Sequence, residues 1–187
     1  MKHMKEYTRK ALHIIFGVFF LGLIHTLGTK TSFWILLLAM ILGITVSILI
    51  TRKIKFPILG EIVQKVEREN EKKIPGKAAI MFFASALILL FLFQNEKTII
   101  LASISVQVFA DAFAAIIGIN FGKHKLIAKK TIEGSTACFV TALICIAYFY
   151  PIPTALIGAL IATIIEVLPL DDNLCVPLGT ALTLKLL

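Results

Sequence analysis

The chain reads as an all-α integral membrane protein, a polytopic bundle of about seven transmembrane helices carrying one amphipathic helix at the cytoplasmic surface. Three observations predict this. First, 58% of its 187 residues are hydrophobic and 16% are charged, and the mean hydropathy is +0.93, far beyond the apolar fraction of soluble domains. Second, the apolar residues form runs of the length needed to cross a bilayer, roughly 17 to 20 residues each. Third, the basic residues are confined to alternate connections between those runs. Four Lys or Arg precede the first run, one follows it, eight lie between the second and third, one follows the third, four follow the fourth, and none follows the fifth. That alternation matches the positive-inside pattern with a cytoplasmic N-terminus.

The first run, Ala11 to Leu27, lacks a small-residue cleavage site before Lys30, so it reads as an uncleaved span. Arg9, His13 and Gly17 recur at i, i+4 and i+8, which puts a cation and an imidazole on one face with a glycine that permits close helix approach. The second run, Ser32 to Ile50, is scaffold. Residues 51–77 form the one long polar segment, a cytoplasmic loop. Within it Ile58, Leu59, Ile62, Val63 and Val66 share a stripe at helical spacing between Pro57 and Pro75-Gly76, which predicts a helix lying on the membrane surface with Glu67, Arg68 and Glu71 on its polar side.

The third run is Ala78 to Phe93 and the fourth Thr98 to about Ile119. On the fourth, Ser103, Gln107, Ala110, Asp111, Ala114 and Gly118 fall on one side and Phe109, Phe113, Ile116 and Ile117 on the other, so the first set is expected to face the bundle. A carboxylate inside an apolar helix is costly and marks ion, proton or substrate chemistry, which singles out Asp111. The cytoplasmic loop 120–134 that follows carries four lysines, then Thr131, Glu133, Gly134 and Ser135, a set suited to a polyphosphate and its magnesium. The fifth run, Ser135 to Tyr150, ends at Pro151-Ile152-Pro153. On the sixth, Thr154 to Leu168, Ala155, Ala159, Ala162 and Glu166 share a face, so a second carboxylate emerges from a packing surface. The acidic turn 169–173 carries Asp171, Asp172 and Asn173 before a last run, Leu174 to Leu187.

Carried through the chain, this topology brings Arg9 and His13, Glu67 to Lys77, Asp111 to Ser135, and Glu166 with the 169–173 turn to one membrane surface. The residues 1–187 then form a single transmembrane domain with one cytoplasm-facing site, open to lipid and to a soluble nucleotide. Nucleic acid is excluded as a partner despite the net charge of +8, because no aromatic residues are interleaved with the basic ones to stack bases. Cys138, Cys145 and Cys175 lie in apolar runs without metal-ligand spacing. There is no P-loop, since His124 stands where the hydroxyl residue would follow Lys123, and no kinase, HExxH or GxSxG signature.

These residues resemble the dolichol kinase/phytol kinase family of membrane lipid kinases, which includes CTP-dependent diacylglycerol kinases. The matching pieces are Arg9-Lys10 with His13 and Gly17; Glu67-Arg68 leading to Pro75-Gly76-Lys77; and Asp111-Ala112-Phe113-Ala114 with Gly118. Beyond them come Phe121-Gly122-Lys123, Lys130-Thr131-Ile132-Glu133-Gly134-Ser135, and Glu166 followed by Asp171-Asp172-Asn173 with Val176-Pro177. Ala110 departs from the glycine that often precedes the aspartate in that family. The resemblance implies transfer of the terminal phosphate of CTP, with Mg2+, to the hydroxyl of a long lipid alcohol such as dolichol, phytol or geranylgeraniol. Phosphoryl transfer is mostly positioning and charge neutralisation, so roles follow by residue type. Asp111 is expected as magnesium ligand or general base, and Lys130 and Glu133 stand with it as the catalytic candidates. Lys123, Lys129 and Lys130 are expected to hold phosphates, with Arg9 and His13 facing them. Thr131, Gly134 and Ser135 are expected to bind phosphate at the start of the fifth run, and Asn173 to hold ribose or base. Glu133, Glu166, Asp171 and Asp172 are the further metal candidates. A CTP-dependent diacylglycerol kinase, a membrane cytidylyltransferase making a CDP-lipid and a transporter are the alternatives, and a homo-oligomer is compatible with all of them.

Overall fold

The computed structural model describes residues 2–52, 75–127 and 130–187. The surface helix expected within 51–77, with Glu67, Arg68 and Glu71, falls almost wholly outside the described residues, as does Lys129. Among the described residues the fold is all-α. Helix α1 runs Lys2–Thr51 with a break at Gly28, α2 Lys77–Leu92, and α3 Lys97–Ser105. A π-helical turn at Val106–Ala110 joins α3 to α4, Asp111–Phe121. Then come α5, Ile132–Ala147, α6, Ile152–Val167, and α7, Asp172–Leu186. Each of the seven apolar runs is therefore helical, the first two forming the halves of α1.

Gly28 takes φ 78°, a left-handed value that glycine alone adopts without a Cβ penalty. The bend it makes is sharp. Ser32 Oγ donates to the Leu23 carbonyl at 3.2 Å, whereas nine residues of straight helix would separate the two by roughly 13 Å. The bend packs on the α2–α3 turn, where Thr29 Oγ1 donates to the Gln94 carbonyl at 2.8 Å and Lys97 Nζ to the His25 carbonyl at 2.7 Å. Lys185 Nζ, at the end of α7, joins the same end of the bundle through Glu96 Oε1 at 2.8 Å.

The central rod is Lys97–Phe121, running unbroken through the π turn. From Ile99 to Val108 it is buried on every side. Ser103, Gln107, Ala110 and Ala114 are buried as expected, and Phe113 is exposed. The small-residue face of α6 behaves likewise, with Ala155, Ala159, Ala162 and Glu166 all buried. The outer surface carries many exposed large apolar side chains, among them Phe16, Phe19, Trp34, Leu38, Leu42, Phe91, Ile144 and Leu160. Among the described residues two helices, Met4–Thr51 and Lys97–Phe121, are long and apolar enough to cross a membrane. The apolar helices α2, α5 and α6 have 16 residues each, about 24 Å of rise against a hydrocarbon core of roughly 30 Å.

Candidate functional site

At the end of the bundle away from Gly28, helices α1, α4, α5, α6 and α7 bring their polar residues together. The first group forms around Asp111. Lys10 is only 5% exposed, and its Nζ donates to Asp111 Oδ2. His13 Nε2 lies 3.8 Å from the same oxygen and 3.2 Å from the carbonyl oxygen of Gln107. A carbonyl can only accept, so His13 carries its proton on Nε2. The Gln107 carbonyl lies within the π turn, a feature that recurs at functional sites. Gly17 sets the approach: a Cβ there would run into the γ-methyls of Val108, so α1 lies directly on the π turn.

Sequence spacing puts Arg9, His13 and Gly17 on one face, whereas the structure turns Lys10 and His13 toward Asp111 and Gly17 toward Val108 below it. At about 100° per residue positions 10, 13 and 17 fall within about 60° of arc, a tighter set than 9, 13 and 17. Lys10, which the family resemblance includes without a role, thus has its signal in the helical spacing. Arg9 instead pairs with Glu6, and its buried Nε has no hydrogen-bond partner.

The second group forms where the 120–134 loop meets α6 and α7. Lys130 Nζ donates to Glu166 Oε1 at 2.5 Å and to Asp172 Oδ2 at 2.7 Å. Glu166 is 3% exposed, and its other oxygen accepts from Ser135 Oγ at 3.3 Å. Asp172 Oδ1 is buried and has no hydrogen-bond partner. Burial depresses the Lys130 ammonium, but Asp172 and Glu166 outweigh it and raise its pKa above the ordinary value. For Asp172 burial wins over Lys130 and raises its carboxyl. Lys77 Nζ lies 3.4 Å from Asp171 Oδ2 beside this group. Gln107 bridges the two groups: its Nε2 donates to the Asn173 carbonyl at 2.5 Å, one turn below Asp111 on the central rod.

The loop is organised around Thr131. Its Oγ1 accepts from Gly134 N at 3.1 Å, which makes it the N-cap of α5. Three glycines close around it, since a Cβ at Gly118 or Gly134 would stand 3.1 or 3.0 Å from Thr131 Oγ1, and one at Gly122 would stand 2.7 Å from Thr131 Cγ2. Thr131 and Ser135 were expected as donors to phosphate; the structure engages the first in capping and packing and the second with Glu166. Glu133 sits apart from the other carboxylates, with Oε1 2.7 Å from His124 Nδ1 and both oxygens near the His124 backbone N–H. Its own backbone N–H and then the His124 ring pull its pKa down to about 2. Lys123 is exposed.

Among the described residues no three His, Cys, Asp or Glu side chains assemble into a metal cage. Magnesium commonly takes one or two carboxylates and completes its shell with water and phosphate oxygens. Glu166 and Asp172, drawn to one point by Lys130 with a buried oxygen of Asp172 unsatisfied, fit such an ion.

A family model described as "Cytidylyltransferase family" matches residues 1–170. The chain belongs to this family. An uncharacterized protein of Methanocaldococcus jannaschii is 33% identical, over 93% of this chain and 90% of that protein. A probable chloroplastic phytol kinase of Triticum aestivum is 28% identical over 96% of this chain and 67% of the relative. The chloroplastic phytol kinase 1 of Arabidopsis thaliana is 24% identical over 94% of this chain and 64% of the relative. The chain thus spans about two thirds of the length of these plant relatives. The family model and the phytol kinase relatives together bear out the dolichol kinase/phytol kinase resemblance. No solved structure matches the chain.

Proposed function

We propose that the protein is a membrane lipid kinase that transfers the terminal phosphate of CTP to the hydroxyl of a polyprenol-type lipid alcohol. The observation that carries this reading is the junction of Lys130 with Glu166 and Asp172, next to which Gln107 reaches the Asn173 carbonyl with its side chain and meets His13, the neighbour of Asp111, with its own carbonyl. Phosphate ligands and a metal-competent carboxylate pair thereby stand beside a carboxylate inside an apolar helix. In this reading the seven helical runs cross the membrane with the N-terminus in the cytoplasm, and the site opens to the cytoplasm. The chain forms one domain, with the 120–134 loop as its nucleotide loop.

The roles proposed combine residue type with these contacts. Lys130 holds phosphate oxygens, with Lys123 and Lys129 from the same loop, and Arg9 adds positive potential from α1. Glu166 and Asp172 would hold magnesium, with Asp171 at its margin, Asn173 meets the nucleoside, and Glu133 acts from the loop, where it holds His124. The chemistry supplied by bound magnesium is neutralisation of phosphate charge. Asp111 orients the lipid hydroxyl and takes its proton, a light task because the phosphoryl transition state is loose and needs little help from a strong base. Lys10 and His13 fix that carboxylate in place.

The test is to incubate the purified protein with terminally labelled CTP or ATP and a panel of phytol, geranylgeraniol, dolichol and diacylglycerol. Label in a phosphorylated polyprenol-type alcohol, with CTP preferred, supports the reading. Label in phosphatidic acid alone moves it to a CTP-dependent diacylglycerol kinase. Label in no lipid overturns it. The family description favours a second reading, a cytidylyltransferase joining CMP to a lipid phosphate with release of pyrophosphate. A transporter fits less well, because the charged groups gather at one end of the bundle rather than along a path through its middle.

A further inference from the structure

We propose that Lys130 is a built-in counter-ion that holds the Glu166–Asp172 pair closed to metal until nucleotide arrives, so that divalent metal and nucleotide load as a couple. The inference rests on the kinase reading for the identity of its ligands and adds how that site is regulated.

The geometry is that of a stand-in. Nζ is 2.5 Å from Glu166 Oε1 and 2.7 Å from Asp172 Oδ2, so the ammonium fills the point between the carboxylates. A magnesium ion bound to both would need its oxygens at about 2.0–2.1 Å from that same point. Ammonium and metal exclude each other there.

The backbone at Lys130 has little freedom to retreat. Lys130 N donates to the Ile127 carbonyl at 3.1 Å, the Lys130 carbonyl accepts from Leu126 N at 2.7 Å, and the next residue is the Thr131 cap. Exchange must therefore occur by rotation of the lysine side chain. A displaced ammonium leaves two carboxylates for none, and an anion has to replace them. The terminal phosphates of a nucleotide are that anion, which makes each ligand create the other's site.

Charge and hydrogen bonding agree. With Lys130 in place the pair carries a net charge of one negative unit, and with a divalent ion in its stead the pair is neutral. Asp172 Oδ1 remains buried without a partner in the lysine-filled arrangement, whereas Glu166 Oε2 has Ser135. The lysine satisfies the pair incompletely, so it holds the site without sealing it.

The experiment measures Mn2+ binding by electron paramagnetic resonance in phosphatidylcholine nanodiscs, at fixed free Mn2+, with and without CTP. Wild type is expected to bind Mn2+ weakly alone and about tenfold or more tightly with CTP, within the usual range of coupling between sites. Lys130→Met is expected to bind Mn2+ alone about tenfold or more tightly than wild type, with a smaller gain from CTP than wild type shows. An unchanged or weakened affinity for Mn2+ alone in Lys130→Met overturns the proposal. A measurement on wild type guards against misfolding of the variant: acylation of Lys130 by an amine-reactive reagent, read by mass spectrometry. Mn2+ alone should raise it only at the high concentrations that fill the nucleotide-free site, CTP should lower it again, and labelling that ignores saturating Mn2+ overturns the proposal. If phosphate reaches a lipid alcohol while Mn2+ affinity ignores Lys130, the switch fails and the kinase reading stands. If Mn2+ follows Lys130 while no lipid is phosphorylated, the switch stands and the kinase reading fails.

Discussion

Lys10 changes what a substitution at Asp111 should do. Taken by itself, Asp111→Asn keeps volume and removes a buried charge, which predicts a folded protein with turnover reduced by at least roughly two orders of magnitude. With Lys10 buried on the carboxylate, the same change also strands an ammonium, at a cost of about 3 kcal/mol for breaking such a pair. Lys10→Met combined with Asp111→Asn should therefore regain most of the thermal stability lost by Asp111→Asn in detergent, and none of the activity. Recovery of activity in the double variant would remove Asp111 from the chemistry. Thr131 is the second such case. Because its hydroxyl caps α5, Thr131→Ala should lower stability by about 1 kcal/mol, and Thr131→Ser should keep it, as read by thermal melts of the three proteins. A role confined to phosphate binding would leave the three melts together.

At the level of elements, the approach of α1 to the π turn decides whether Lys10 and His13 reach Asp111. Gly17→Val would collide with Val108, so it should cost about 1–3 kcal/mol through overpacking and lower activity at least tenfold as α1 is pushed off. Gly22, about one and a half turns further on, faces open space, and Gly22→Ala should leave activity unchanged and not lower stability, since alanine favours a helix interior by about 0.5–1 kcal/mol. Loop and helix meet again at Glu133, whose carboxyl is held down to about 2 by its own backbone N–H and by His124. A depressed carboxyl pKa contributes stability that is complete above the unfolded value of 4.5 and is lost as pH falls through the folded value. The melting difference between wild type and Glu133→Gln should thus be constant above about pH 5.5 and shrink as pH falls from there toward 2. A difference that persists undiminished at low pH would mean that Glu133 acts through packing.

For the whole molecule, what periodicity could reach was legible in the sequence. The seven helical runs follow from the length of the apolar stretches, and the buried face of the central rod and the Ala155, Ala159, Ala162 and Glu166 face from residues three and four apart. The gathering of the polar segments at one end was legible from the spacing of basic residues, and contacts such as Lys77 with Asp171 and Lys130 with Asp172 join them. Which side chain meets which was not legible, because Lys10 with Asp111 and Ser135 with Glu166 pair across 101 and 31 residues and depend on which helices become neighbours. The π turn leaves no periodic trace, and a threonine before an apolar helix signals a cap as readily as a phosphate ligand. The central claim is that this gathered site moves the terminal phosphate of CTP onto a lipid hydroxyl, and the fate of two labels in one incubation tests it most directly. With CTP labelled separately at its first and terminal phosphates, the terminal label should appear in the phosphorylated alcohol and the first should remain in CDP. Recovery of the first label in the lipid, with the terminal label in pyrophosphate, would contradict the account.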